Sequence, residues 1–383
     1  MASPATIAER PHRPDVADIL GDHAHGLRLT SQQARAVRDI AACRTERLGG
    51  HLEVCPNCGF TRGTYNSCRN RHCPKCQILK QELWAEAQEA LLLPTHYFQI
   101  VFTIPGDLHP FFRIPGRRVS ELCLNLLFEA TSETLAEVAR RVLKADIGFT
   151  AVLHTWTQQL RFHPHIHCVV PAGGLSRDGS KWKATSKRFF LPIKKLREIF
   201  RGKLLQKLEH AVRDGELPAD PAEAMALRQR ASKKEWIVYV KRPLPGPGHV
   251  VRYLSRYVHR IAISNSRILA YNGQVVTFRY KDRRDGQKKP CTLDGPAFAR
   301  RFLQHVLPAR FVRIRHYGFM ASRRRNDLAR CRELLGGAAA QPKEKDANWI
   351  AAFERIFGAN PLLCPRCKAA TLERRHLLPP MRM

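Results

Sequence analysis

The chain predicts an α+β fold: an antiparallel sheet with interleaved helices, of ferredoxin-like type, preceded by a zinc-ribbon-like domain. Three observations predict it. Short β-branched and aromatic runs alternate with long helical stretches between residues 94 and 282. Two Cys-x-x-Cys pairs, Cys55/Cys58 and Cys73/Cys76, lie just upstream of them. Apolar residues make up 44% of the 383 positions, enough to pack more than one core.

Taken in order, residues 1–27 read as a flexible lead-in and lack the apolar stretch of a secretory signal. Residues 28–93 read as a zinc-binding domain with flanking helices. Its first helix spans about 28–48, where Leu29, Ala34, Val37 and Ile40 recur at helical spacing, and Gly49-Gly50 ends it. Its second helix, 77–93, stops at Pro94. Residues 94–282 form the expected catalytic core. Strands are predicted at 96–105, 147–156, 164–171 and 235–243, with a helix over 117–145 and basic helices within 175–234. The Pro- and Gly-rich stretch 243–248 breaks the chain, and an amphipathic helix is predicted over 249–261. Asn272-Gly273 marks a hairpin within 268–282. Residues 283–335 read as a basic helical region, and 336–383 as a linker and a short Cys-containing tail.

Charge narrows the function. Lys and Arg number 65 against 33 acidic residues, a net charge of +32. Such an excess attracts polyanions, and DNA or RNA is the partner it predicts, because neutralising phosphates releases counterions. No apolar run approaches a membrane span, so a membrane partner is excluded and a cytoplasmic, nucleoid-associated protein is expected.

Twelve cysteines without a secretion signal favour metal ligation over disulfides. Cys55, Cys58, Cys73 and Cys76 have zinc-ribbon spacing and predict one structural Zn²⁺. Cys43, His51, Cys68 and His72 are candidates for a second. Cys364 and Cys367 are half a site. Arg62, Arg69, Arg71 and Lys75 decorate the block and are candidate DNA contacts.

His163-Pro-His165-Ile-His167 falls on the third strand of the core. Alternate residues of a strand share a face, so His165 and His167 point together while Ile166, Cys168 and Val170 point to the core. Paired imidazoles on a strand are a platform for a catalytic divalent ion, Mn²⁺ or Mg²⁺. A third ligand is needed. His163 continues the alternation; His154 on the preceding strand and His259 on the later helix are the other candidates. On the 249–261 helix, Tyr253 and Tyr257 are four apart and share a face. Two core aromatics would show the same spacing. Arg252, Arg256 and Arg260 surround them, a setting that would hold a phosphate and favour the phenolate.

With these residues in place, the chain resembles the two-tyrosine rolling-circle transposases of HUH type, the insertion sequence 91 family. The matching segments are YNSCRNRHCPKCQ, VFTIP, ADIGFTAVLHTWTQQLRFHPHIHCVVPAGGL and YLSRYVHRIAISNSRI, within residues 28–335. The His165-Ile166-His167 and Tyr253/Tyr257 motifs fall inside them. The resemblance implies an HUH core that cuts and rejoins single-stranded or hairpin DNA at element ends through 5′-phosphotyrosine. The alternatives are a plasmid-type replication initiator or relaxase of the same chemistry, and a non-catalytic zinc-containing DNA-binding regulator.

Overall fold

The computed structural model describes residues 13–113, 116–186, 191–241, 249–250, 262–282, 284–337, 346 and 348–380. The amino-terminal part holds helices α1 (Val16–His23) and α2 (Ser31–Ala42), the hairpin β1 (Gly50–Val54) and β2 (Thr61–Tyr65), and helix α3 (Ile78–Glu89). Both leading helices are fixed at their starts by reciprocal caps. The Asp15 carboxylate accepts from the Ala17 amide, and the Thr30 hydroxyl accepts from the Gln33 amide while the Gln33 side chain accepts from Thr30. The expectation of a loose lead-in is corrected from Val16 onward. Val16, Ile19 and Leu20 are buried at helical spacing, in one cluster with Phe298 and Phe302.

The core runs β3 (Tyr97–Thr103), α4 (Arg117–Val142), β4 (Ala145–Asp146), β5 (Phe149–Trp156), β6 (Phe162–Pro171), β7 (Gly173–Ser176), β8 (Trp182–Ala184), α5 (Ile193–Arg213), α6 (Pro221–Lys233) and β9 (Ile237–Val240). Then follow β10 (Ile268–Tyr271), β11 (Val275–Lys281), β12 (Lys288–Asp294), α7 (Gly295–Leu303), β13 (Ile314–Tyr317), α8 (Arg325–Leu334), α9 (Trp349–Phe357) and β14 (Glu373–Leu378).

The central sheet has five antiparallel strands in the order β13-β5-β6-β3-β9. Its two faces follow from the period-2 alternation. One face carries Phe98, Ile100, Phe102, Leu153, Ile166, Cys168 and Val170. They pack under α4 and α5 with Leu127, Phe128, Phe200 and Leu204 in the main core. The other face carries His154, His165, His167 and Gln99. Further along the strands, past Gln99, it becomes apolar: Tyr97, Val152, Val169, Leu92 and Val250 form a cluster with Trp84 of α3 against it. The sheet is therefore buried on both sides, and its polar residues sit in a dry, rigid setting.

Two elements depart from the expected organisation. The 283–335 region is not simply helical: β12 completes a three-stranded sheet with β10 and β11, and β13 adds an edge strand to the central sheet. Neither shows a clean apolar alternation: β12 reads KKPCTLD and β13 only IRHY. The tail is not a separate appendage either, since β14 pairs antiparallel with β1 and completes the amino-terminal sheet in the order β14-β1-β2.

Candidate metal centre and thiol clusters

His154 and His165 stand directly opposite each other on β5 and β6, and His167 follows two residues along β6. All three are buried, at 3%, 4% and 7% exposure. Their ring centroids are 4.5 Å (His154–His167), 4.8 Å (His165–His167) and 5.5 Å (His154–His165) apart. One ring nitrogen from each converges within 4.8 Å of the others. Of the candidates for a third imidazole, the geometry brings His154 to the pair and leaves His163 outside the group. The pleat alone would allow His163. However, it lies at the strand's mouth, half-buried and facing His109, with ring centroids 6.0 Å apart. A cross-strand neighbour reaches the same point more directly than a residue two further along the strand.

The surroundings orient these rings. The His165 Nδ1 lies 2.6 Å from the His163 carbonyl oxygen, which can only accept; Nδ1 therefore carries the proton and Nε2 is the lone-pair nitrogen. The Gln99 side-chain amide, on β3, sits 2.7 Å from the His167 Nδ1. The Trp156 ring stacks on His154 at 4.5 Å. Three buried imidazoles, one of them with its tautomer fixed by a carbonyl, suit a divalent transition ion such as Mn²⁺, and each would ligate as the neutral base. Sequence reasoning missed Gln99, which lies opposite Val169 in the register and shows no motif.

The cysteines group otherwise than expected. Cys43, Cys68, Cys73 and Cys76 form one cluster of converging sulfurs; Cys55, Cys58, Cys364 and Cys367 form another. Pairing Cys55 and Cys58 with Cys73 and Cys76 is corrected. The 68–76 loop folds back onto the end of α2, where the Cys68 amide lies 3.5 Å from the Cys43 sulfur and Arg44 donates to the Asn66 carbonyl at 3.0 Å. The 55–58 turn lies instead at the tip of the β1–β2 hairpin. His51 and His72 are not in either cluster. His51 contacts the Glu53 carboxylate at 3.0 Å. His72 is buried, accepts from the Leu307 amide at Nε2 and donates from Nδ1 to the Asn70 side chain.

Three candidate DNA contacts are engaged within the fold. Arg62 pairs with Glu53 and donates to the Pro361 carbonyl; Arg71 donates to the Phe311 and Pro308 carbonyls, both at 2.6 Å; Lys75 pairs with Asp15 at 2.8 Å. Arg69 is exposed. Tyr253, Tyr257, Arg252, Arg256, Arg260 and His259 lie outside the described residues.

Residues 148–327 match a family model described as "Putative transposase", and residues 17–104 match one described as "Transposase zinc-binding domain". The latter and the thiol clusters together mark the protein as zinc-binding. A protein of Sinorhizobium fredii named "Putative transposase y4qJ" is 43% identical over 92% of this chain and 93% of its own length. The "Transposase for insertion sequence element IS801" of Pseudomonas savastanoi pv. phaseolicola is 29% identical over 89% of this chain and 83% of its own length. No solved structure matches. Among the described residues no helix is long and apolar enough to cross a membrane. With both parts of the fold matched separately and a relative aligned along almost its whole length, the chain belongs to the transposases of the insertion sequence 91 family.

Proposed function

We propose that the protein cuts and rejoins single-stranded DNA at element ends by rolling-circle chemistry, with Tyr253 and Tyr257 as nucleophiles and the His154–His165–His167 face as the metal platform. The observation that carries this reading is the placement of Val250. It is helical together with His249, is fully buried, and packs on the sheet face that bears the imidazoles. Tyr253 and Tyr257 are three and seven residues further along, the spacing of one helical face. The strand order, two β-α-β halves interleaved in one antiparallel sheet, supports a ferredoxin-like HUH core over residues 94–282, with a zinc domain over 28–93 ahead of it.

A divalent ion, Mg²⁺ or Mn²⁺, bound there would polarise the scissile phosphate and spread its developing charge. His165 presents Nε2 because its Nδ1–H is held by the His163 carbonyl. Turning the Gln99 amide so that its oxygen, rather than its Nε2, faces the His167 Nδ1 would hold His167 in the same tautomer. A tyrosine hydroxyl attacks phosphorus in line and loses its proton. A P–O bond to the phenol forms, the P–O3′ bond breaks, and the 3′ oxygen takes up a proton. The 5′-phosphotyrosine ester keeps the bond energy for rejoining, so no nucleotide cofactor is needed.

The test is incubation of the protein with single-stranded oligonucleotides carrying element ends, with Mn²⁺ or Mg²⁺. A covalent protein–DNA adduct that disappears in the Tyr253→Phe, Tyr257→Phe double variant is expected. An adduct that persists in that variant would remove the tyrosine assignment.

A further inference from the structure

The sulfurs of Cys55, Cys58, Cys364 and Cys367 meet although Cys58 and Cys364 are 306 residues apart. The Cys55–Cys367 sulfurs are 3.6 Å apart and the Cys58–Cys364 sulfurs 3.7 Å. Disulfide sulfurs would stand about 2.0 Å apart. Four sulfurs placed about 2.3 Å from a tetrahedral zinc stand about 3.8 Å from one another. The observed spacing is that tetrahedral edge.

The two arms are also built alike. Each is Cys-Pro-x-Cys. In the first, the Gly59 amide donates to the Cys55 carbonyl and the Cys55 amide to the Phe60 carbonyl, at 3.0 and 2.8 Å. In the second, the Lys368 amide donates to the Cys364 carbonyl and the Cys364 amide to the Ala370 carbonyl, at 3.0 and 2.9 Å. The residue after each second cysteine is left-handed, Gly59 at φ 70° and Lys368 at φ 56°. Lys368 takes up this conformation without glycine's freedom, at a cost of about 1 kcal/mol that something in the fold must offset. Each arm turns two thiols to one side. Leu372, Phe60 and Ala370 pack about them, and β14 on β1 holds the arms in register.

We infer that these four thiolates hold a second structural zinc ion, which clasps the amino-terminal hairpin to the 364–378 segment. It is separate from the ion of Cys43, Cys68, Cys73 and Cys76. The zinc-binding match over residues 17–104 reaches only the Cys55/Cys58 half of it. Four protein ligands leave no open coordination position, so the ion's part is to hold the ends together.

Metal counting on the purified full chain tests this. Two zinc ions per chain are expected. Replacing Cys364 and Cys367 by Ser should leave one, as should replacing Cys55 and Cys58, and replacing all four should still leave one. Two ions retained after Cys364→Ser plus Cys367→Ser would overturn the clasp, because the ions would then use amino-terminal ligands alone. Should the Ser variants fail to fold, Cys367→His keeps a ligand in place. The cobalt-loaded form should bind two ions and absorb at shorter wavelength than the all-thiolate protein. A cobalt spectrum identical to that of the unaltered chain would exclude Cys367 from the site.

Discussion

A carbonyl oxygen cannot donate a hydrogen bond, and that single fact settles the His165 tautomer. The same reasoning ranks the histidines as ligands. Alanine at His154, His165 or His167 is expected to lower metal-dependent adduct formation by at least about 100-fold, whereas His163→Ala costs less than about 10-fold. Quantifying the adduct at saturating Mn²⁺ checks this, and equal losses at His154 and His163 would reopen the choice of third ligand. Gln99→Ala should raise the Mn²⁺ concentration needed for half-maximal adduct by about 10–100-fold.

A different histidine contributes to acid stability, as buried His72 also does. His305 is 1% exposed, donates from Nε2 to the Leu160 carbonyl and accepts the Thr155 hydroxyl at Nδ1. Burial pulls its pKa down from 6.5 to about 3. Between those values the unfolded chain holds a proton that the folded chain does not. Stability therefore rises with pH across this window and is lost as pH falls below about 6.5. Near pH 5 the contribution to the slope is about 1.4 kcal/mol per pH unit. His305→Gln should flatten the slope of unfolding free energy against pH by about that amount. Urea titrations read it, at pH values where zinc content is unchanged.

Among the elements, β13 shows what a short strand needs in order to dock. It pairs with β5 from Ile314↔Val152 to Tyr317↔Phe149, and the Arg315 guanidinium lies 4.1 Å over the Phe128 ring. Gly318 then turns the chain at φ 58°, and a Cβ there would lie 1.8 Å from the Ile147 carbonyl oxygen. Backbone on both sides leaves no side chain to yield. Gly318→Ala should destabilise the protein by about 2–4 kcal/mol, measured as a lower urea midpoint. The strands that carry the imidazoles were legible because long alternating runs of Val, Ile and Phe leave little choice of element. Strand β13 was not: the four residues Ile-Arg-His-Tyr give no pattern, and its position is set by β5. Likewise His165 and His167 announce themselves by alternation, while His154 and Gln99 join them only through strand register, which a single sequence does not display. The two Cys-Pro-x-Cys arms at 55–58 and 364–367 were visible as a matched pair of motifs. Their partnership was hidden by distance along the chain, and proximity in sequence favoured the wrong four thiols.

For the whole molecule, a net charge of +32 must be carried somewhere specific. A cavity of about 610 Å³ between the end of α4 and the β7–β8 hairpin is lined by Arg140, Arg141, Lys144, Arg177, Lys181 and Lys183, against one acid, Asp178. Removing Lys144 and Lys183 together should weaken DNA binding at every sequence alike. It should also make log affinity fall less steeply with log salt, the slope shrinking by about 1 for each phosphate no longer neutralised. Fluorescence anisotropy over a salt series checks this, and an unchanged slope would place the phosphates elsewhere. Charge made the polyanionic partner readable from composition. It did not show which cations were already engaged, as Arg62, Arg71 and Lys75 are.

The pairing of β14 with β1 sets a timetable for biosynthesis. At about 5–20 residues per second, the 306 residues between Cys58 and Cys364 take the ribosome roughly 15–60 s to add. Throughout that interval the leading hairpin lacks both a neighbouring strand and half its thiols. A message cut short before codon 364 would yield a protein damaged at its beginning as well as at its end.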